Sequence, residues 1–314
     1  MFRDIDEINM QNLFSKNIIL FGAGASFGSE PSKMPPLGAQ LFDELVREYP
    51  DHWGSIFTKY CTVFKENFEL GMERLLDEIP QLVPELHRKM ALYLSSFSPS
   101  QFSLYLRFAQ RFQQNPKQLT IATLNYDMLL PLALKKVNLN LSLFLKSPDS
   151  IELILPHGSC NLMCSSVYAK SDQVKFAANS VSVNSDVGQI HFLTDPDQVR
   201  SRITDNAIPP IMSYFEKNKN STAGQTYLLQ SRLRLAELIE NAVRIIIIGV
   251  KIREHDEHIW NPIKNAHRKL IYCSGLAEIG EFESFVSNNR SSRENKFLNG
   301  FWSEKFDEVF NELV

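Results

Sequence analysis

With 314 residues, 44% hydrophobic and 22% charged, the chain has the make-up of an ordinary globular protein, long enough for one large domain or two smaller ones. Thirty-three basic against 36 acidic residues give a formal charge of −3, which argues against a dedicated nucleic-acid surface. The N-terminal MFRDIDEINM is acidic where a secretory signal is basic, the apolar run Ile245–Val250 is too short to span a bilayer, and four cysteines do not make a disulfide scaffold. These features predict a cytoplasmic protein with no membrane partner and no direct nucleic-acid binding.

Five short apolar runs without clean alternation read as strands of a parallel sheet covered on both faces: Asn17–Phe21, Leu119–Thr123, Ile151–Leu155, Arg244–Ile248 and Leu270–Cys273. Between the first two, LGAQLFDELVREY and FELGMERLLDEIPQLVPELHRKMALYLSSF place Leu, Phe and Met at helical spacing, and Pro80, Pro84, Pro99 and Pro116 mark helix boundaries. From Ser165 to about Ala223 the chain is polar and mixed. There VKFAANSVSVNS and QIHFLT read as short strands, and IPPIMSYF carries a double proline. LLQSRLRLAELIENA then predicts an amphipathic helix feeding IIIIG. The predicted fold is a single α/β domain, 1–314, on a Rossmann-like parallel sheet. Its core spans 1–44, 117–164 and 224–280, with a helical insertion at 45–116, a second mixed insertion at 165–223 and a helical tail at 281–314.

The stretch after the first strand, Gly22-Ala23-Gly24-Ala25-Ser26, permits a tight turn and a close backbone approach to a phosphate. A full dinucleotide fingerprint needs a third glycine where Phe27 stands and an acidic residue ending the second strand, and both are missing. A plain structural turn is the competing reading. Three other strand ends carry chemistry-bearing residues: Asn125-Tyr126-Asp127 after Thr123, His157-Gly158-Ser159 after Leu155, and Gly249-Val250 after Ile248. Ligands of open parallel sheets bind beyond the carboxyl ends of the strands, so these four ends predict one crevice. Each piece also has a structural alternative: Asn125 and Asp127 as caps of a following helix, His157 as a core histidine, Gly249 as a strand terminator.

GAGAS, TLNYD and LPHGS, in this order and each after a strand, resemble the sirtuin-like NAD-consuming fold, and most closely the bacterial sirtuin-like NAD hydrolases of antiphage defence. PPLGAQLF and IIIIGVKIREHDEHI are similar to that group as well. The resemblance anchors about half of the chain, mostly the sheet. It implies that NAD is the substrate, with its pyrophosphate over Gly22, Ala23, Gly24, Ala25 and Ser26. It further implies Asn125 and His157 as catalytic residues, Asp127 beside the nicotinamide ribose, and Phe27, Gly158, Gly249 and Val250 lining the cofactor. The implied products are nicotinamide and ADP-ribose.

Protein-deacylating sirtuins carry two Cys-x-x-Cys pairs that bind zinc. Here Cys160 and Cys164 are three residues apart, and Cys61 and Cys273 stand far away, so no structural zinc is expected. Arg253-Glu254-His255-Asp256-Glu257-His258 reads as a solvated helix start rather than a metal site. Two other functions stay open at this point: an NAD-dependent protein deacylase or ADP-ribosyltransferase, and a non-enzymatic nucleotide-sensing subunit. An unrestrained NAD hydrolase would drain its own cell, so a homo-oligomeric assembly or a separate sensor or activator protein is expected. The aromatic tail with Phe297, Phe301, Trp302, Phe306 and Phe310 is one candidate surface for it.

Overall fold

A strand made almost wholly of Ile and Leu is stable only when both of its faces are covered, and this requirement organises the chain. The computed structural model describes residues 16–116, 119–143, 150–164, 189–213, 223–253 and 256–313. Seven strands form one parallel sheet: β1 (Asn17–Phe21), β2 (Leu119–Thr123), β3 (Leu141–Ser142), β4 (Ile151–Ile154), β7 (Arg244–Ile248), β8 (Lys269–Ser274) and β9 (Asn295–Asn299). Their order is β3-β4-β2-β1-β7-β8-β9. The sheet begins with β1, builds outward through β2 and β4, then returns to the other side of β1 for β7, β8 and β9. The strand order therefore reverses between β1 and β7, as in a Rossmann-type doubly wound sheet. A separate antiparallel pair joins β5 (Leu162–Cys164) to β6 (Ile190–Phe192), inside the predicted QIHFLT strand. The predicted VKFAANSVSVNS strand lies outside the described residues.

Side-chain alternation sends successive isoleucines to opposite faces. Ile246 and Ile248 of β7, with Ile19 and Phe21 of β1 and Ile121 of β2, pack on the larger core. That core is formed with helices α2 (Gly38–Glu48), α3 (Thr58–Glu66), α4 (Phe68–Glu78), α5 (Val83–Leu94), α6 (Leu104–Phe112), α7 (Leu129–Lys136) and, from the C-terminus, α12 (Trp302–Leu313). Ile245 and Ile247, with Ile18 and Leu20, face the second core against α9 (Gln225–Asn241), α10 (Glu257–Asn265) and α11 (Ile279–Asn289). The remaining helices are the single turn α1 (Ala23–Ser26) and α8 (Pro196–Asp205). Arg290 is 1% exposed and spans the lower end of α10, donating to the carbonyls of Ile263, Ala266 and Arg268, so a buried cation closes a helix C-terminus. Between α9 and β4, Arg234 grips buried Glu152 through two parallel bonds of 2.8 and 2.9 Å.

Two results differ from the pattern-based reading. The segment expected as a helical tail contains β9, whose NKFLN sequence is too polar to read as a buried strand because it lies at the sheet edge, with only Leu298 fully buried. Helix α2 also crosses the boundary drawn at 44/45, so the helical block and the sheet are not separable there. Most of the tail's aromatic face packs on the domain itself. Trp302 and Phe306 are buried, and only Phe301 of the five aromatics is largely exposed. The Trp302 ring lies 5.2 Å from Phe21 and 4.9 Å from Tyr105, joining tail, central strand and α6 in one aromatic cluster.

Truncating a buried ring removes its transfer energy and leaves a cavity in close-packed surroundings. Trp302→Ala is therefore expected to lower the unfolding free energy by about 3–5 kcal/mol. Chemical denaturation checks this, and a loss below about 1 kcal/mol would show that the tail docks only loosely.

Candidate functional site

The site lies at the carboxyl ends of β1, β2, β4 and β7, which are neighbours in the sheet. What holds these ends together is backbone lying on backbone. Gly22 N–H donates to Ile248 O, and Gly24 N–H to Gly249 O, both at 2.9 Å. A Cβ on Gly22 would stand 2.5 Å from Gly249 O, and one on Gly24 would stand 2.8 Å from Gly249 Cα. Gly249 itself has φ +62°, with the Ala25 nitrogen 2.3 Å from where its Cβ would be. Three glycines therefore let the turn after β1 press on the turn after β7. Two of the turn's N–H groups are committed to this contact. What the crest leaves open is Ala23, which is exposed, and Gly24 and Phe27, which are half-buried. Val250 is buried beneath the turn in the second core, so it supports the crest from below.

Beside the turn, four buried side chains form one polar chain. The Asn125 amide nitrogen donates to Gly22 O and Ser26 Oγ at 2.9 Å and lies 3.2 Å from the Tyr105 hydroxyl. The bond to a carbonyl fixes the amide orientation, because only the nitrogen can donate. Ser26 Oγ donates to Asp127 Oδ2 at 2.9 Å, so the Tyr105 hydroxyl, 3.1 Å away, gives its hydrogen to Ser26. The donors run Asn125, Tyr105, Ser26 and end on the Asp127 carboxylate, an arrangement in which each bond polarises the next. Asp127 Oδ1 accepts from Leu129 N–H at 2.9 Å, so this carboxylate also caps α7. Burial pushes its pKa up from 3.8 to about 6 despite those bonds. Burial, followed by the Asp127 charge, raises the Tyr105 hydroxyl above its ordinary 10.0.

His157 sits on the loop after β4. This loop is held by the segment carrying the double proline: Ser213 N–H donates to His157 O and Ser159 N–H to Ile211 O, both at 2.8 Å. Gly158 has φ +80°, and a Cβ there would lie 2.0 Å from Ile211 O, so glycine is required by this pairing. Arg232 of α9 braces the same loop through Pro156 O and Ser213 Oγ, each at 3.0 Å. The His157 ring is 6% exposed, and its Nε2 lies 2.8 Å from Nε2 of His258 on α10. At this distance one Nε2 carries the hydrogen and the other accepts it. Asp256 is the residue before α10, and its carboxylate joins the two imidazoles, with one ligand-capable atom from each of the three within 4.8 Å of the others.

All four predicted strand ends thus converge. Asn125 and Asp127 share one network with Ser26, while His157 stands in a second with His258. Gly22, Gly24, Gly158 and Gly249 each have a protein-internal reason to be glycine. Sequence reading passes over Tyr105, His258 and Arg232. Tyr105 is hidden among the apolar positions of α6, with nothing in LYLRFAQRF to separate it from core. His258 stands in the charged hexapeptide that reads as a solvated helix start; residues 254–255 of it lie outside the described ones, but Asp256 is buried and His258 half-buried. The clue was that two of its members, two apart, can reach one strand end.

No protein-family model matches the chain, and no curated protein does. Among solved structures, the chain is similar to "Sir2 bound to acetylated peptide" (12% identity, TM-score 0.46, 99% of this chain and 100% of that one). It is similar also to "Structure of Sir2Tm bound to a propionylated peptide" (13%, 0.45, 99% and 100%) and "Sir2-p53 peptide-NAD+" (13%, 0.42, 98% and 97%). At these values the fold class rests on the strand order of this chain.

The Asp127 carboxyl gives a pH signature. Its folded pKa lies above the unfolded one, so the folded state holds the proton more tightly, and stability falls as pH rises from about 4 to about 6. Above that window the buried charge weighs against the fold by on the order of 3 kcal/mol. Asp127→Asn keeps an oxygen for Leu129 N–H and removes the charge, at the cost of setting an amide donor against Ser26 Oγ, which donates to Oδ2 in the wild type. The melting temperature of the variant minus that of the wild type is therefore expected to rise as the pH goes from about 4 to about 6 and to stay level above that window. Thermal unfolding across pH checks this; a gap that does not change with pH would mean that Asp127 stays ionised throughout.

Proposed function

We propose that the chain hydrolyses NAD to nicotinamide and ADP-ribose at the crest of β1, β2 and β4. The observation that carries this reading is that Asn125 and His157 follow adjacent parallel strands, beside a glycine turn, where the strand order reverses. The order of GAGAS, TLNYD and LPHGS, which resembles sirtuin-like NAD hydrolases, supports it.

The chemistry asks for little acid. As the bond from C1′ of the ribose to nicotinamide breaks, its electron pair goes to the pyridinium nitrogen and the leaving group becomes neutral. The difficulty is the oxocarbenium-like sugar, so catalysis rests on positioning and charge stabilisation. Asn125 is held through its amide nitrogen, and its Oδ1, in none of those bonds, accepts from a ribose hydroxyl or the attacking water. Water forms its bond to C1′ and loses a proton to the His157 imidazole, which His258 holds in place from 2.8 Å away. Ala23 and Gly24 form the open rim on which the pyrophosphate rests, and Phe27 shields the reacting sugar. Asp127 acts from behind, by orienting Ser26 and the start of α7, rather than by touching the ribose. Cys160 and Cys273 offer no second nucleophile, since burial raises their thiols and keeps them protonated. Water as acceptor favours an NAD-depleting effector, with the antiphage role implied by the resemblance and a homo-oligomer or separate activator as its restraint.

Asn125→Ala is expected to cut NAD cleavage by about 10²–10³ with the fold retained, as removal of one positioned polar group does. His157→Ala should lower kcat similarly. Chromatography of products after mixing wild type and variants with NAD is the test, together with circular dichroism. A variant keeping half of the wild-type rate would remove Asn125 from the mechanism, and a requirement for an acyl-peptide would replace hydrolysis by deacylation.

A further inference from the structure

His157, Asp256 and His258 meet beyond the carboxyl end of β4, and hydrolysis as described uses none of them as a ligand. Two imidazoles facing each other nitrogen to nitrogen at 2.8 Å, with a buried carboxylate alongside, form an unusual group. It pairs two neutral borderline-soft donors with one hard anionic oxygen, the combination that zinc-class cations take. Tetrahedral coordination at about 2.0–2.1 Å would set the two nitrogens about 3.3 Å apart, so the pair has only to open by about half an ångström. The three ligand atoms already lie within 4.8 Å of one another.

The backbone carrying His157 and the helix carrying His258 are each tied down by hydrogen bonds. His157 is fixed by the Ser213 and Arg232 contacts, and α10 is anchored at its far end by Arg290. His258 is the least buried of the three and provides the way in. Two features work against a cation: Arg232 exerts its charge on Asp256, and the group lies at the start of a helix. Both weaken binding. A fourth position is left to water, so this is an open site that fills and empties, unlike the closed four-ligand structural zinc that the scattered cysteines cannot build.

We propose that His157, Asp256 and His258 bind one zinc-class divalent cation, and that its occupancy silences the site by taking the Nε2 lone pair of His157. The silencing half rests on the NAD-hydrolase reading; the binding half does not. The test titrates the full chain, freed of metal with a chelator, with Co²⁺ as an optical probe and then with Zn²⁺, followed by NAD cleavage with and without Zn²⁺. Expected are one Co²⁺ per chain with the visible absorption of a four- or five-coordinate nitrogen–oxygen site, displacement by Zn²⁺, and affinity lowered at least about tenfold in both His258→Ala and Asp256→Asn. Circular dichroism and melting of the two variants keep a folding defect from passing as lost ligation. Zn²⁺ is expected to stop cleavage by the wild type, and chelation to restore it. Binding unchanged in both variants, a sulfur-to-cobalt charge-transfer band, or cleavage that continues or rises in Zn²⁺ overturns the proposal. A metal-free chain that cleaves no NAD at any protein concentration, nor with its activator present, sinks the hydrolase reading instead, and the cobalt titration still decides the metal site.

Discussion

The structure depends on one backbone contact. The turn after β1 lies directly on the turn after β7, with Gly22 N–H on Ile248 O and Gly24 N–H on Gly249 O. This is the point where the strand order reverses, and in most doubly wound sheets the loops diverge there and leave a crevice. Here small residues close it at its base. Asn125 and His157 stand to one side of this contact, after β2 and β4. A side chain on any of the three glycines would separate the turns and with them everything attached to the turn after β1, including Ser26.

That turn is supported from the other side by aromatic rings. Phe21 is the last residue of β1, and it meets Tyr105 and Phe108 of α6 and Trp302 of α12 at centroid distances of 5.2–5.4 Å. Tyr105 belongs at once to this apolar cluster and to the polar chain of Asn125, Ser26 and Asp127. Its ring is fixed by packing and its hydroxyl by hydrogen bonds, so the helical block and the C-terminal helix both determine where Asn125 points. Segments that look like insertions and appendages in the sequence are the back wall of the site.

This explains what could be read from the chain alone. The central strands were legible because Ile and Leu runs bounded by glycine leave few alternatives, and the order of motifs at their ends was visible without any structure. The edge strands were not, since Leu141–Ser142 is too short for a pattern and NKFLN is too polar. The glycines were read as a place for a ligand, whereas Cβ distances of 2.0–2.8 Å to neighbouring backbone give Gly22, Gly24, Gly158 and Gly249 a packing reason first. The close approach that these glycines allow is made, in the folded chain, by the protein's own backbone. His258 could not be found by periodicity, because its meaning comes from a strand end about a hundred residues earlier in the chain.

The same geometry constrains how the site works. Asn125 and His157 are 8% and 6% exposed, and both already bond to protein groups. A polar group so held costs little reorganisation when charge develops near it, which favours the transition state over a loosely placed equivalent. The two residues differ in what must change. In the proposed reaction Asn125 keeps its protein bonds while Oδ1 engages the substrate, so it works there as a fixed post. His157 shares its Nε2 with His258, and that nitrogen can serve water, the other imidazole or a cation, but one at a time. On the proposed reading, control of the site therefore falls on the histidine pair, where a single nitrogen has competing partners, rather than on the buried network behind Asn125, where Asn125, Tyr105 and Ser26 already donate to protein acceptors.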